Sequence, residues 1–221
     1  MPTAAEAWNS ARDRAVARML AEARLCGADA VVGVSIRQAE ERMPVSSGGS
    51  VECVATGTAV ACDFLTAGPP GPVLTNLSVQ DFWKLLQQGI VPVGVVAVTT
   101  VFGCVPSQLT YRSEAATILS AVRRTTREIP EFSKGLRLAH REAFAQMRSR
   151  AERMGAEGVV GVTIDREQHS AQPSGHSYKD LIVSVHAIGT AIAHGGTQPA
   201  PRGELTITPV RHLNEKGGSA P

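Results

Sequence analysis

Residues 11–36 read ARDRAVARMLAEARLCGADAVVGVSI, and residues 139–164 read AHREAFAQMRSRAERMGAEGVVGVTI. At a constant offset of 128 and without a gap, 12 of these 26 positions are identical. They are Ala11, Ala15, Ala17, Met19, Ala23, Gly27, Ala28, Val31, Val32, Gly33, Val34 and Ile36. A second block follows each copy, VATGTAV at 54–60 and HAIGTAI at 186–192, now at an offset of 132. The four extra residues fall in a polar stretch that holds SSGG in the first copy and QPSGH in the second, the composition of a surface turn. Two blocks matched in the same order are an internal duplication.

Each copy has a physical reading. Leu136, Ala139, Ala143, Met147, Ala151 and Met154 recur at three- and four-residue spacing, as do Trp8, Ala11, Ala15, Met19 and Ala23. That spacing puts one apolar stripe on a helix, and its alanines let the helix approach a sheet closely. Gly27 and Gly155 stand where a left-handed helix C-cap needs no Cβ, so both are expected at positive φ. The β-branched runs VVGVSI and VVGVTI read as strands, each followed by a polar loop and a second strand. Gly27, Ala28, Gly33, Gly57 and Thr58 in the first copy, with Gly155, Ala156, Gly161, Gly189 and Thr190 in the second, are the structural motif residues of the unit. Their glycines cap helices and let strands pass close to other backbone.

The copies are not equal. Ahead of its helix the second has VPVGVVAVTTVFGC at 91–104, a strand candidate, followed by a helical stretch at 113–128 that stops before Pro130. The first copy has no strand before its helix. The chain therefore divides into an incomplete first unit at 1–63, a Pro/Gly-rich connector with a short amphipathic helix at 64–90, a complete second unit at 91–195 and a tail at 196–221. In the connector helix SVQDFWKLLQQG, Ser78 and Asp81 form a capping box and Gly89 is the stop. In the tail, 204–209 alternates like an edge strand. A hairpin without a third strand is marginal, so the first unit is expected to borrow one, with Leu205–Ile207 as the donor segment. The fold class is α+β: two tandem two-layer units, each a helix on a small, mainly antiparallel sheet.

The order helix, GADAVVGV, hairpin strand, GTAV resembles the YbjQ-like family, often labelled a heavy-metal-binding domain. The resemblance covers 11–62 as a partial copy and about 91–193 as a complete one. It implies a strand–helix–strand–strand unit and ring-shaped homo-oligomers, commonly pentamers, whose sheets meet between subunits. The family label is a claim about metal, and the family's biochemical function is generally unassigned.

Composition narrows the classes of function. A formal charge of +2 and an aromatic content of 4% leave little for a nucleic-acid surface. No apolar run approaches the roughly 18 residues of a membrane helix, and MPTAAEAWNSARDRA lacks a signal core, so a cytoplasmic chain is expected. Charged residues make up only 19%, which fits a surface partly covered by other copies. Cys26, Cys53, Cys62 and Cys104 form no CxxC pair, and no metal ligand set is assigned among them and the six histidines. No nucleophile elbow, phosphate loop or dinucleotide fingerprint is present, so neither catalytic residues nor a cofactor are assigned. Phe82, Trp83 and Leu86 on the connector helix, with Leu205 and Ile207 in the tail, are the candidate interface residues; covering a core is the ordinary role of such a helix. The expectation is a non-enzymatic protein that assembles with itself into a ring, pentameric by the family resemblance, or a larger shell. The alternative is a metal-binding or metal-stress module. No cargo or ligand is specified.

Overall fold

The duplication reappears in the strand pairings. A computed structural model describes residues 4–41, 50–61, 71–104, 130–171 and 180–195. In chain order these form α1 (Ala4–Leu25), β1 (Ala30–Glu41), β2 (Ser50–Val60), β3 (Val73–Leu74), α2 (Val79–Gln87), β4 (Ile90–Cys104), α3 (Pro130–Arg153), β5 (Gly158–Ala171) and β6 (Asp180–His194). β1 and β2 pair antiparallel with Val32 opposite Thr58, and β5 and β6 do the same with Val160 opposite Thr190. Both hairpins carry a bulge at the same place, between Val32 and Ser35 and between Val160 and Thr163. The bulge residues Gly33 and Gly161 have φ of 64° and 61°, which an L side chain would strain. The bulge also resets the alternation, so that Val31, Val34 and Ile36 all reach the same hydrophobic cluster.

The two units are completed differently. Sheet B has the order β4–β6–β5 and is antiparallel throughout. Sheet A has the order β2–β1–β3, with β3 parallel to β1. The connector thus supplies sheet A with a strand on its β1 side, while the β2 side, where β4 would belong, has no strand among the described residues. The tail segment Leu205–Ile207 and the stretch 113–128 lie outside the described residues. The architecture is α+β, two small, mostly antiparallel sheets each packed against a helix.

In the second unit Ala139, Ala143, Met147 and Ala151 of α3 are buried against Val96 and Val98 of β4 and Val183, Val185 and Ala187 of β6. In the first, Met19 and Ala23 of α1 pack with Val31, Val34 and Leu74. Ala11 and Ala15, the counterparts of Ala139 and Ala143, are only half-buried. The physical reason is that sheet A has no counterpart of β4 among the described residues, whereas the N-terminal half of α3 covers β4 and Thr100 Oγ1 even donates to the Ala139 carbonyl at 3.1 Å. Met154, placed on the apolar stripe by its spacing, is instead exposed beyond the end of α3.

Both long helices end alike. Ala28 N–H bonds the Ala23 carbonyl and Gly27 N–H the Arg24 carbonyl; Ala156 and Gly155 repeat these bonds to Ala151 and Glu152. With φ of 65° at Gly27 and 74° at Gly155, these are Schellman caps. Helix α2 starts at Ser78, whose hydroxyl accepts from the Asp81 N–H, and its Phe82 and Leu86 are buried with Ala30 and Val32.

Candidate functional site

The most densely bonded polar region is the joint between the two units. Residues of β4 and β6 alternate between two faces of sheet B, with Val183, Val185 and Ala187 toward α3 and His186, Ile188 and Thr190 on the opposite face. Unit one covers that opposite face. The Trp8 ring meets the His186 ring edge-on at a centroid distance of 5.7 Å. Val95 and Ile188 of sheet B pack against the same cluster as Val16, Leu20 and Leu74 of unit one. Both α1 and sheet A therefore lie on one side of sheet B, and α3 on the other.

Two hydroxyls fasten the joint. Thr190 Oγ1 donates to Asn76 Oδ1 at 2.6 Å and accepts from the Asn76 N–H at 3.1 Å. Since its one proton is committed, Thr75 Oγ1 is the donor across the 2.8 Å Thr75–Thr190 contact, and it accepts in turn from the Leu77 N–H at 3.1 Å. Asn76 Nδ2 donates to the Gly161 carbonyl at 2.6 Å. Both threonines are wholly buried, so this network is complete where an unpaired group would be expensive.

At the other side of the joint, α1 closes the free edge of β4. Asn9 Nδ2 donates to the Thr99 carbonyl at 3.1 Å and Asn9 Oδ1 accepts from the Thr99 N–H at 3.2 Å, an amide standing in for a neighbouring strand. Arg150 of α3 donates to the next outward carbonyl, Ala97, at 3.1 Å. Arg12 is 1% exposed, with Nη2 2.9 Å from Asp13 Oδ1 and Nη1 3.5 Å from Thr99 Oγ1. Burial lowers the guanidinium pKa, and the bonded Asp13 opposes that shift without cancelling it. His186 sits within this contact, its Nδ1 3.0 Å from Thr99 Oγ1 and its Nε2 3.9 Å from Glu167. Burial lowers its pKa, opposed by the charges of Glu167 and Asp165 and assisted by that of Arg12.

Sequence reasoning singled out Thr190 and Gly161, which the structure brings together through Asn76. Their counterparts Thr58 and Gly33 are both exposed. Gly57 and Gly189 leave room for Val31 and Val159, whose Cγ1 atoms would lie 2.6 Å and 2.7 Å from an added Cβ. Gly27, Ala28, Gly155 and Ala156 serve the helix caps. Phe82 and Leu86 lie in the core between α2 and sheet A, and Trp83 is half-buried beside them. Leu205 and Ile207 are outside the described residues. Asn9, Arg12, Thr75, Asn76 and Thr99 escaped notice, and His186 stood out only as one of the six histidines. The available signal was that Trp8 and Arg12 break the match with Leu136 and His140 on otherwise similar helices.

The donor chemistry of the described residues does not fit a bound heavy metal. Among the described residues no three His, Cys, Asp or Glu side chains are placed to hold one ion. Burial pushes the Cys53 and Cys104 thiols upward, away from the thiolate form a soft metal requires.

Fold and joint define a tandem α+β repeat in which one helix-on-sheet unit is bolted to the next. The chain belongs to the family described as "Putative heavy-metal-binding", whose model matches it twice, at residues 3–63 and 93–194. It is also similar to the encapsulin nanocompartment protein Rv1762c of Mycobacterium tuberculosis, with 34% identity over 208 residues, covering 92% of this chain and 71% of that protein.

Proposed function

We propose that this chain is a non-enzymatic assembly protein whose copies close into a homo-oligomeric ring of five, joined further into a shell or cage. The observation that carries the reading is the unequal finish of the two sheets. β6 is paired by β4 from Cys104 back to Ile90, whereas the equivalent edge of β2 has no strand among the described residues. An open edge is a template for another segment, and sheets of neighbouring copies complete such edges. That a similar protein carries the name encapsulin nanocompartment protein supports this reading. Self is the partner in this reading; neither nucleic acid nor membrane enters it, and no described helix is long and apolar enough to cross a membrane. The proposed location is the cytoplasm.

Light scattering on untagged protein, combined with metal analysis of the same sample, tests the reading. Particles well above the 23.2 kDa chain mass with no stoichiometric metal are expected. A monomer at micromolar concentration with one bound metal per chain would replace it by a metal-binding module.

A further inference from the structure

The edge of β1 that takes up β3 has a counterpart in the second unit. Beside β1, Val73 N–H donates to the Asp29 carbonyl, Thr75 N–H to the Val31 carbonyl, Val34 N–H to the Thr75 carbonyl and Gly33 N–H to the Leu77 carbonyl, at 2.8–3.0 Å. By the repeat offset of 128, the same edge of β5 presents the Glu157 and Val159 carbonyls and the Gly161 and Val162 N–H groups. β5 is the outermost strand of sheet B, and no described strand lies beside it there. The side chains record the difference. Val31 and Val34 share a buried cluster with Leu74, whereas Val159 is half-buried and Val162 is 38% exposed. An apolar side chain beside unpaired backbone is what a further strand covers.

The tail holds a second copy of the β3 segment. Residues 70–79 read PGPVLTNLSV and residues 201–210 read PRGELTITPV, an offset of 131 at which Pro70, Leu74, Thr75 and Val79 recur as Pro201, Leu205, Thr206 and Val210. The connections agree with the match. Ala30 lies opposite Val60 on one side and Val73 on the other, and Gly158 lies opposite Ile192. From Val60 to Val73 the chain advances 13 residues, and from Ile192 to Glu204, the counterpart of Val73, it advances 12. A connection of nearly equal length thus reaches the same edge. We infer that residues 204–208 of the tail add to β5 of their own chain as a parallel strand, with Glu204 beside Gly158 and Leu205 beside Val159. Leu205 then covers Val159 and Val162 as Leu74 covers Val31 and Val34. This gives the segment to the second sheet instead of the first and leaves the open edge of β2 for another partner. It also shields an edge that would otherwise template pairing with foreign chains.

The inference goes beyond the self-association proposed above and does not depend on it. Its test puts Val162→Cys and Leu205→Cys into one full-length chain that keeps its own cysteines, treats the native protein with a short bismaleimide, and maps the linked peptides. A link between 162 and 205 in a species of single chain mass, 23.2 kDa, is expected. A link from 205 to Cys53 of β2 would overturn the inference and return the segment to sheet A. A link between 162 and 205 found only at twice the chain mass would overturn it by giving the edge to a neighbouring copy, and absence of the link would overturn it outright. A second measurement needs no cysteine. Thr206→Pro removes the N–H assigned to the Val159 carbonyl. Amide hydrogen exchange at Gly161 and Val162 should then run about tenfold faster than in wild type, the factor that accompanies loss of a hydrogen bond at an edge. Equal exchange in variant and wild type would overturn the inference.

Discussion

Thr190→Val removes one oxygen from the joint and keeps the side-chain shape. Three groups lose their partner: the Thr75 hydroxyl proton, the Asn76 N–H and the Asn76 Oδ1. Thr75 is fully buried and cannot turn to water, so its stranded donor costs about 1–3 kcal/mol. Asn76 is half-buried and recovers part of its loss from solvent, so the total comes to about 2–4 kcal/mol. For a chain of this length that lowers the melting temperature by about 5–15 °C. Urea and thermal unfolding, run at one fixed protein concentration because assembly shifts apparent stability, read the change. Thr75→Val with Thr190→Val should cost less than the two single changes added, since the double variant strands neither hydroxyl against the other. A Thr190→Val cost below about 0.5 kcal/mol, the range of an ordinary surface change, would refute the claim that this network fastens the units.

Further expectations follow from the same geometry. Gly33→Ala and Gly161→Ala both force a side chain into positive φ, at about 1 kcal/mol each, but only at Gly161 would the new Cβ meet Leu77 Cδ2, at 2.5 Å; the second variant should therefore be the less stable in thermal unfolding, and equal losses would remove Gly161 from the joint. The folded His186 has a pKa below 6.5, so its contribution to stability is present above that pH and is lost as pH falls through the lowered value; wild type should lose more stability than His186→Gln between about pH 7 and 5, and parallel curves would rule the group out. Supply of the absent strand by the tail segment, expected from the sequence, requires that deleting residues 203–221 lower both particle mass and melting temperature. Unchanged values would exclude donation.

The elements that local sequence determines were legible. The alanine stripe, the Gly27 and Gly155 caps, the Ser78 capping box and the β-branched hairpins depend on residues within one helical turn or one strand period, and the repeat doubled every signal. The inequality of the two units was also legible, in the β-branched run at 91–104 that the first copy does not repeat. The joint was not. Its bonds link Thr75 to Thr190 and Asn9 to Thr99, which are 115 and 90 residues apart, and no periodicity connects them. Arg12 reads as a solvated charge on a helix otherwise patterned by alanine, yet tertiary packing buries it against sheet B. β3 was hidden for another reason. Two residues in a proline- and glycine-rich connector are too few to show alternation, and the strand exists because β1 offers it an edge.

Native mass spectrometry of the untagged wild-type chain at micromolar concentration tests the central claim most directly, because it counts copies without assuming a shape. The account predicts a closed particle of five chains, five times 23.2 kDa, or whole multiples of that particle where rings join into a shell. A spectrum dominated by the single 23.2 kDa chain would contradict it.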